Sequence, residues 1–308
     1  MLAFVFPGQG SQIKGMGRTL INEYPNHIKI LDEISEISSI NIKQLCFDYS
    51  DSNINESIHS ALAVFSISSL IFEILKENSV VPNAYAGYSL GYYSALYASG
   101  YISLPTACYL VKLRAKLLKK SAKNNPSGMI GIIGLKKNQI SQAIKGIDHV
   151  YIANENSPVN FTISYDLRVK PLLDRALDLA SPLKVVDIPV EGGWHSPFMQ
   201  DAAELFSEHI INVNFNDTNK IVVDNSTARP IENIIDLPQL LIEHIYKKVK
   251  WRDTIDYLIK YGCTDFIEVG YGDQLSKFIL FTNRQVNVNK TGEILYLKNV
   301  IEKYSAYE

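Results

Sequence analysis

The segment Gly87-Tyr-Ser-Leu-Gly91 is the part of this chain best built for covalent chemistry. A run of small residues, Ala84-Tyr-Ala-Gly87, precedes it, and a helical pattern from Leu90 to Ala98 follows. That strand–turn–helix context is what a nucleophile elbow requires. A sharp turn lifts the Ser89 hydroxyl away from the backbone, and the flanking glycines permit the close approach. The helix that follows aims unpaired N–H groups at the reacting centre, where negative charge develops. The plain alternative is a small-residue turn with an incidental serine. A second glycine-rich turn, Gly8-Gln-Gly-Ser-Gln12, follows the apolar run Leu2 to Phe6, which Pro7 stops. That run reads as a buried parallel strand ending in a loop.

These turns need a frame. Ile58 to Leu75 carries apolar residues at helical spacing, and Leu104 to Lys120 is an amphipathic helix with a basic outer face. On its residues alone, Arg114 is one more charge on that face, beside Lys112, Lys116, Lys119, Lys120 and Lys123. The loop formers Asn124-Asn-Pro-Ser-Gly128 then mark a change of texture. Beyond them come a strand (Met129 to Leu135), a helix (Ile140 to Ile147), two strands (Val150 to Ala153, Phe161 to Ser164), a helix (Val169 to Leu179) and a strand (Leu183 to Pro189). That order is the signature of a ferredoxin-like unit. After residue 190 helices and strands alternate again, with Ile221 to Asp224 and Asp265 to Val269 as buried strands. The expected class is α/β: a large domain, residues 1–126 and 191–308, interrupted by a ferredoxin-like subdomain, residues 127–190.

Composition narrows the function. The chain has 308 residues, 46% apolar and 20% charged, enough for a sizeable core. Lys and Arg total 30 against 32 for Asp and Glu, so no strong field favours nucleic acid. Cys46, Cys108 and Cys263 have neither metal-ligand spacing nor a disulfide pattern, and no metal is expected. The first residues lack a signal peptide's charged start, and no run reaches the roughly 18 apolar residues of a membrane span. A soluble, cytoplasmic protein without a membrane partner is expected.

Phe6-Pro-Gly-Gln-Gly-Ser-Gln12, Ala86-Gly-Tyr-Ser-Leu-Gly91, Arg114, Asn154-Glu-Asn-Ser-Pro158, His195-Ser-Pro197 and Glu268-Val-Gly-Tyr-Gly272 occur in one order on one chain. Together they resemble the malonyl-CoA:acyl carrier protein transacylase family, over nearly the whole length. The resemblance implies an α/β-hydrolase-like core with a ferredoxin-like insertion. It implies Ser89 as nucleophile and His195 as its general base, since a hydroxyl needs a base within hydrogen-bond reach. The family orients this histidine with backbone carbonyls, so no third carboxylate is expected. The backbone amides of Gln9 and Leu90 are implied as an oxyanion hole, each donor worth roughly 3 kcal/mol. Arg114 matches the arginine that grips the malonyl carboxylate, for which a planar guanidinium is suited.

Trp194 is larger than the family's usual phenylalanine and is expected to disfavour a branched α-carbon. Asn154 and Asn156 match positions near the site entrance, although Asn154 to Pro158 is equally good turn chemistry. Several positions depart from the pattern: Tyr88 and Tyr92 stand where the family has His and Glu, Tyr271 where it has Pro, and His59-Ser60 where it has Gln-Pro. Tyr88 and His59 are expected to reshape the acyl pocket. Lys250 takes the place of a glutamine near the catalytic histidine.

The implied reaction is ping-pong transfer from malonyl-CoA, through acyl-Ser89, to the phosphopantetheine thiol of an acyl carrier protein. It needs no tightly bound cofactor. The carrier, an acidic and transient partner, would be met in trans, in a polyketide or fatty-acid pathway, on the basic face Lys112 to Lys123. The alternatives are an acyl hydrolase using the same Ser89 and His195, a generic esterase, and a non-catalytic carrier-binding scaffold.

Overall fold

The computed structural model describes residues 1–47, 54 and 56–305. Two strands come first, β1 (Leu2–Phe6) and β2 (Ala84–Gly87). Four follow in one stretch: β3 (Ser127–Ile133), β4 (Val150–Ser157), β5 (Asn160–Asp166) and β6 (Lys184–Ile188). The last four are β7 (Ile221–Asp224), β8 (Arg229–Pro230), β9 (Asp265–Glu268) and β10 (Asn287–Lys290).

The first and last groups form one sheet in the order β10-β9-β1-β2-β7-β8. All of its neighbours run parallel except β8, which is antiparallel to β7. Its central strands are short and wholly buried, as expected of a parallel sheet covered on both faces. Phe4 and Phe6 on one face of β1 join one core cluster, while Ala3 and Val5 join another. This is the α/β class expected of the large domain.

The second sheet has the order β4-β5-β3-β6, with every pair antiparallel. With the helices Lys137–Ala143 and Lys170–Ala180 it makes the βαββαβ unit of a ferredoxin-like fold. Strand alternation divides its contacts. Ile130 and Ile132 pack with Phe161, Ile163, Leu173 and Leu177 in a core of their own. Met129, Gly131 and Ile133 point the other way, into a cavity shared with the large sheet.

Three local expectations change. The helix predicted at Ile140 to Ile147 begins three residues earlier, where a capping box at Lys136 and Gln139 starts it, and ends at Ala143. The turn-like run Asn154 to Ser157 is strand. Asn156 bonds with Tyr88 and Asn160, Glu155 pairs with Lys137 and Lys248, and the turn itself falls at Pro158 and Val159. The helix Ser57–Glu77 is long and apolar enough to cross a membrane by length and composition, against expectation, but 83% of its apolar window is buried inside the protein. The three cysteines are buried and unpaired.

Candidate active site

The loops after β1 and β2 leave the same end of adjacent parallel strands, the end where sheets of this kind build their sites. The Tyr88 amide donates to the Phe6 carbonyl at 2.9 Å, which docks the elbow against β1. Its glycines are required sterically. A Cβ on Gly91 would lie 2.1 Å from the Phe6 carbonyl oxygen, and one on Gly87 would lie 2.1 Å from the Gly91 backbone. Ser89 itself has φ 52°, a left-handed conformation uncommon outside glycine and frequent at strained functional turns. The helix Gly91–Ser99 begins directly after Leu90. The amides of Gly91, Tyr92 and Tyr93 are taken by the carbonyls of Tyr88, Ser89 and Leu90.

His195 also has a positive φ, 55°. The segment carrying it is held to the second sheet: Gly193 N–H donates to Ser127 Oγ at 2.8 Å, and Ser164 Oγ donates to the Trp194 carbonyl at 2.7 Å. The His195 Nε2 atom lies 2.7 Å from Ser89 Oγ. Its Nδ1 lies 3.2 Å from the Lys247 carbonyl, which can only accept. The hydrogen therefore sits on Nδ1, and Nε2 turns its lone pair to the serine. Burial, reinforced by the charge of Arg114, lowers the pKa of His195 to about 3, while the backbone carbonyls of Lys247 and His244 act in the opposite sense. The imidazole is neutral at pH 7 and able to accept a proton.

Arg114 is 1% exposed. Its Nη2 donates to Ser89 Oγ at 3.1 Å, and neither Nε nor Nη1 has a hydrogen-bond partner among the described residues. Burial lowers its pKa, but a guanidinium stays charged. A cation is thus fixed beside the serine with unmet donors, which is costly unless a carboxylate or similar group meets it. The helix Leu104–Asn124 turns Arg114 inward; the solvated-face reading of this residue does not hold.

Ser89 and His195 open into a cavity of about 590 Å³ between the two sheets. Gln9, Tyr88, Asn154, Asn156 and Trp194 also line it, with Met129, Val186 and Ile188 from the second sheet. The Gln9 side chain donates to Ser60 Oγ at 2.8 Å and to the Ser57 carbonyl at 3.1 Å. Tyr88 donates to Asn156 Oδ1 at 2.7 Å, and Asn156 donates to Asn160 Oδ1 at 3.0 Å.

Three sequence candidates do not line the cavity. Arg114 reaches Ser89 Oγ without forming part of the cavity wall, and Leu90, next to the serine in the chain, is fully buried. His59 does not line the cavity either; its Nδ1 lies 3.6 Å from Glu56 Oε2 at the head of the helix Ser57–Glu77. The carbonyl on His195 comes from Lys247, and Lys250 instead donates its amide to the Asn225 carbonyl at 2.6 Å. Sequence reasoning missed His244 and Asn225, both buried behind His195. Neither lies in a recognisable motif. Among the described residues no cluster of three His, Cys, Asp or Glu is arranged for a metal.

A strand-borne serine elbow, a buried histidine at its oxygen and a small βαββαβ lobe over the cavity define a class. Residues 3–277 match the acyl transferase domain family, and the chain belongs to that family. It is 33% identical over 286 residues to the polyketide biosynthesis malonyl CoA-acyl carrier protein transacylase PksC of Bacillus subtilis, covering 91% of this chain and 96% of that one. It is 30% identical to the malonyl CoA-acyl carrier protein transacylase of the same organism, covering 92% and 91%. The crystal structure of malonyl-CoA:acyl carrier protein transacylase from Xanthomonas oryzae pv. oryzae superposes with a TM-score of 0.95 at 26% identity, covering 99% and 98%. A malonyl-transacylase in complex with its type II polyketide acyl-carrier protein gives 0.94 at 25% identity, covering 98% and 99%.

Proposed function

We propose that this chain moves a malonyl group from malonyl-CoA to the phosphopantetheine thiol of an acyl carrier protein, through an ester on Ser89. One observation carries the reading: a neutral His195 and a buried, under-partnered Arg114 meet at the same serine oxygen. A hydrolase of uncharged acyl groups has no use for that cation.

In the first half-reaction His195 Nε2 takes the Ser89 proton as Oγ attacks the thioester carbonyl. The oxyanion is held by the backbone amides of Gln9 and Leu90. The carbon–sulfur bond breaks, and coenzyme A leaves as a thiol with the proton from His195. Arg114 exchanges its contact with Ser89 for the malonyl carboxylate. In the second half-reaction His195 takes the proton of the carrier's thiol, the sulfur attacks the ester, and Ser89 leaves with that proton. Tyr88 and Trp194 bound the acyl group, and Asn154 and Asn156 face the arm that delivers it.

The division of labour follows the two sheets: residues 1–126 and 191–308 hold the chemistry, and residues 127–190 cover the acyl chamber. The likeness to PksC favours service to a polyketide assembly line in trans, in the cytoplasm. For the acidic carrier, Lys116, Lys120 and Lys123 form the exposed docking face. Lys112 and Lys119 are occupied by the Ser38 carbonyl and by Glu56.

The test is intact-mass analysis after mixing with malonyl-, methylmalonyl- or acetyl-CoA. A malonyl adduct absent from Ser89→Ala, and discharged only by carrier, is expected. Steady release of coenzyme A without an adduct would mean hydrolysis and overturn the reading.

A further inference from the structure

His244 lies in the last turn of the helix Leu237–Tyr246 and is fully buried. The transfer proposed above does not use it. Its neighbours determine where its proton sits. Asn225 Nδ2 donates to the Gly87 carbonyl, two residues before Ser89. That orients the amide so that Asn225 Oδ1 faces His244 Nε2 at 2.8 Å. An amide oxygen only accepts, so Nε2 carries the hydrogen. Burial first, then the nearby ionisable His195 and the charge of Arg114, hold the ring's pKa well below its usual value, and the ring is neutral.

The ring lies flat on Tyr92, with centroids 5.0 Å apart and planes 22° apart. It stands perpendicular to His195, at 5.7 Å and 87°. Three residues further on, Lys247 presents the carbonyl that meets His195 Nδ1. Rotation of an imidazole about its last torsion meets only broad intrinsic minima, so its direction must be imposed from outside. Ser89 Oγ at Nε2 and the backbone carbonyls on the Nδ1 side act in the plane of the ring. The perpendicular ring of His244 closes the remaining side.

We infer that His244, seated on Tyr92, is a positioning residue for the Ser89–His195 pair, acting through Asn225 on the turn that carries the serine and through ring packing on the imidazole that deprotonates it. The inference rests on the reading of Ser89 as nucleophile and His195 as base. It also gives Tyr92, a departure from the family pattern, a purpose: the flat surface under His244.

The experiment uses the full chain and phenylmethylsulfonyl fluoride, which sulfonylates an activated serine with loss of fluoride. The reagent carries no carboxylate and no coenzyme A, so it reads the Ser–His pair apart from malonyl recognition. Wild type, His195→Ala, His244→Leu, His244→Gln and Tyr92→Leu are compared, together with kcat and KM for malonyl-CoA and thermal unfolding. His244→Leu is expected to slow both labelling and kcat by roughly 10- to 100-fold at unchanged KM. His244→Gln, which keeps a donor for Asn225 Oδ1, restores most of the rate, and Tyr92→Leu falls between. Labelling of folded His244→Leu at the wild-type rate overturns the inference, as does a loss confined to KM. Should His244→Leu fail to fold, undiminished labelling of Tyr92→Leu overturns it. Equal labelling of wild type and His195→Ala defeats the Ser–His reading itself, and the inference with it.

Discussion

Arg114 Nη2 donates to Ser89 Oγ at 3.1 Å, on the oxygen that also lies 2.7 Å from His195 Nε2. The resting serine is therefore held between a base and a cation. The guanidinium has its contact with the serine and two unmet nitrogens, so a carboxylate brought near the ester finds donors already in place.

Replacing that cation separates affinity from stability. Arg114→Met should lower kcat/KM for malonyl-CoA by about 100-fold or more, since each charge-assisted hydrogen bond contributes about 1.5–3 kcal/mol. Acetyl transfer should change little. The ligand-free protein should melt higher, because a buried and under-partnered charge has been removed. Steady-state kinetics with both thioesters and a melting curve check all three; a fall in Tm would show that Arg114 is structurally satisfied.

The pH profile follows from the neutral histidine. His195 has its pKa lowered to about 3, so it stays a base far below the pH at which a solvated histidine titrates. The acylation rate should be flat from about pH 8 to about pH 5, without a limb near 6.5. A folded pKa below the unfolded one contributes stability above about pH 6.5 that is lost as pH falls towards 3. The slope is up to about 1.4 kcal/mol per pH unit for one such group. His195→Asn should weaken that acid dependence, measured by denaturant unfolding at pH 7 and pH 5.

The elbow glycines admit a steric test. Gly91→Ala puts a methyl group into the Phe6 carbonyl, and both partners are backbone, so about 3 kcal/mol or more of stability should be lost. Gly10→Ala has open space around it and only a positive φ to oppose it, and should cost about 1 kcal/mol. Urea unfolding of the two variants should rank them in that order.

Tyr88 couples chamber shape to the second sheet through Asn156. Tyr88→Phe strands Asn156 Oδ1 without its donor and should reduce stability by about 1–2 kcal/mol. Tyr88→Ala opens the chamber, and the preference for malonyl over methylmalonyl should fall by about tenfold. Competition between the two thioesters reads the ratio directly.

Carrier recognition should be electrostatic and separable from acylation. Reversing Lys116, Lys120 and Lys123 together should lower kcat/KM for an acidic carrier and flatten its salt dependence, with malonyl-CoA acylation unaffected. An unchanged carrier rate would move the docking surface elsewhere.

Much of this site is legible along the chain because its parts are local. The elbow needs small residues at fixed offsets around Ser89, and those offsets survive in one dimension. The βαββαβ unit is legible because apolar periodicity switches over some 60 residues between helix and strand. The remainder depends on distance in space. Lys247 contributes only a carbonyl, which leaves no mark on residue type, so attention falls instead on Lys250. His244 reads as one polar residue in an ordinary amphipathic helix, and nothing nearby announces Asn225 as its partner. His59 sits one turn into a helix whose direction cannot be read from its neighbours. The edge strand Asn287–Lys290 has almost no apolar content to declare it.

The cavity has two walls with separate owners. Ser89 rises from the parallel sheet, whereas Met129, Gly131, Val186 and Ile188 belong to an antiparallel sheet with its own packed interior. A substitution at Met129, Gly131 or Val186 alters the room above the serine, whereas Ser127 on the same row of β3 holds Gly193 beside His195. Part of the substrate range is thus inherited on a piece of the fold that does not carry the serine, and a lineage can adjust what it carries there while keeping how it carries it.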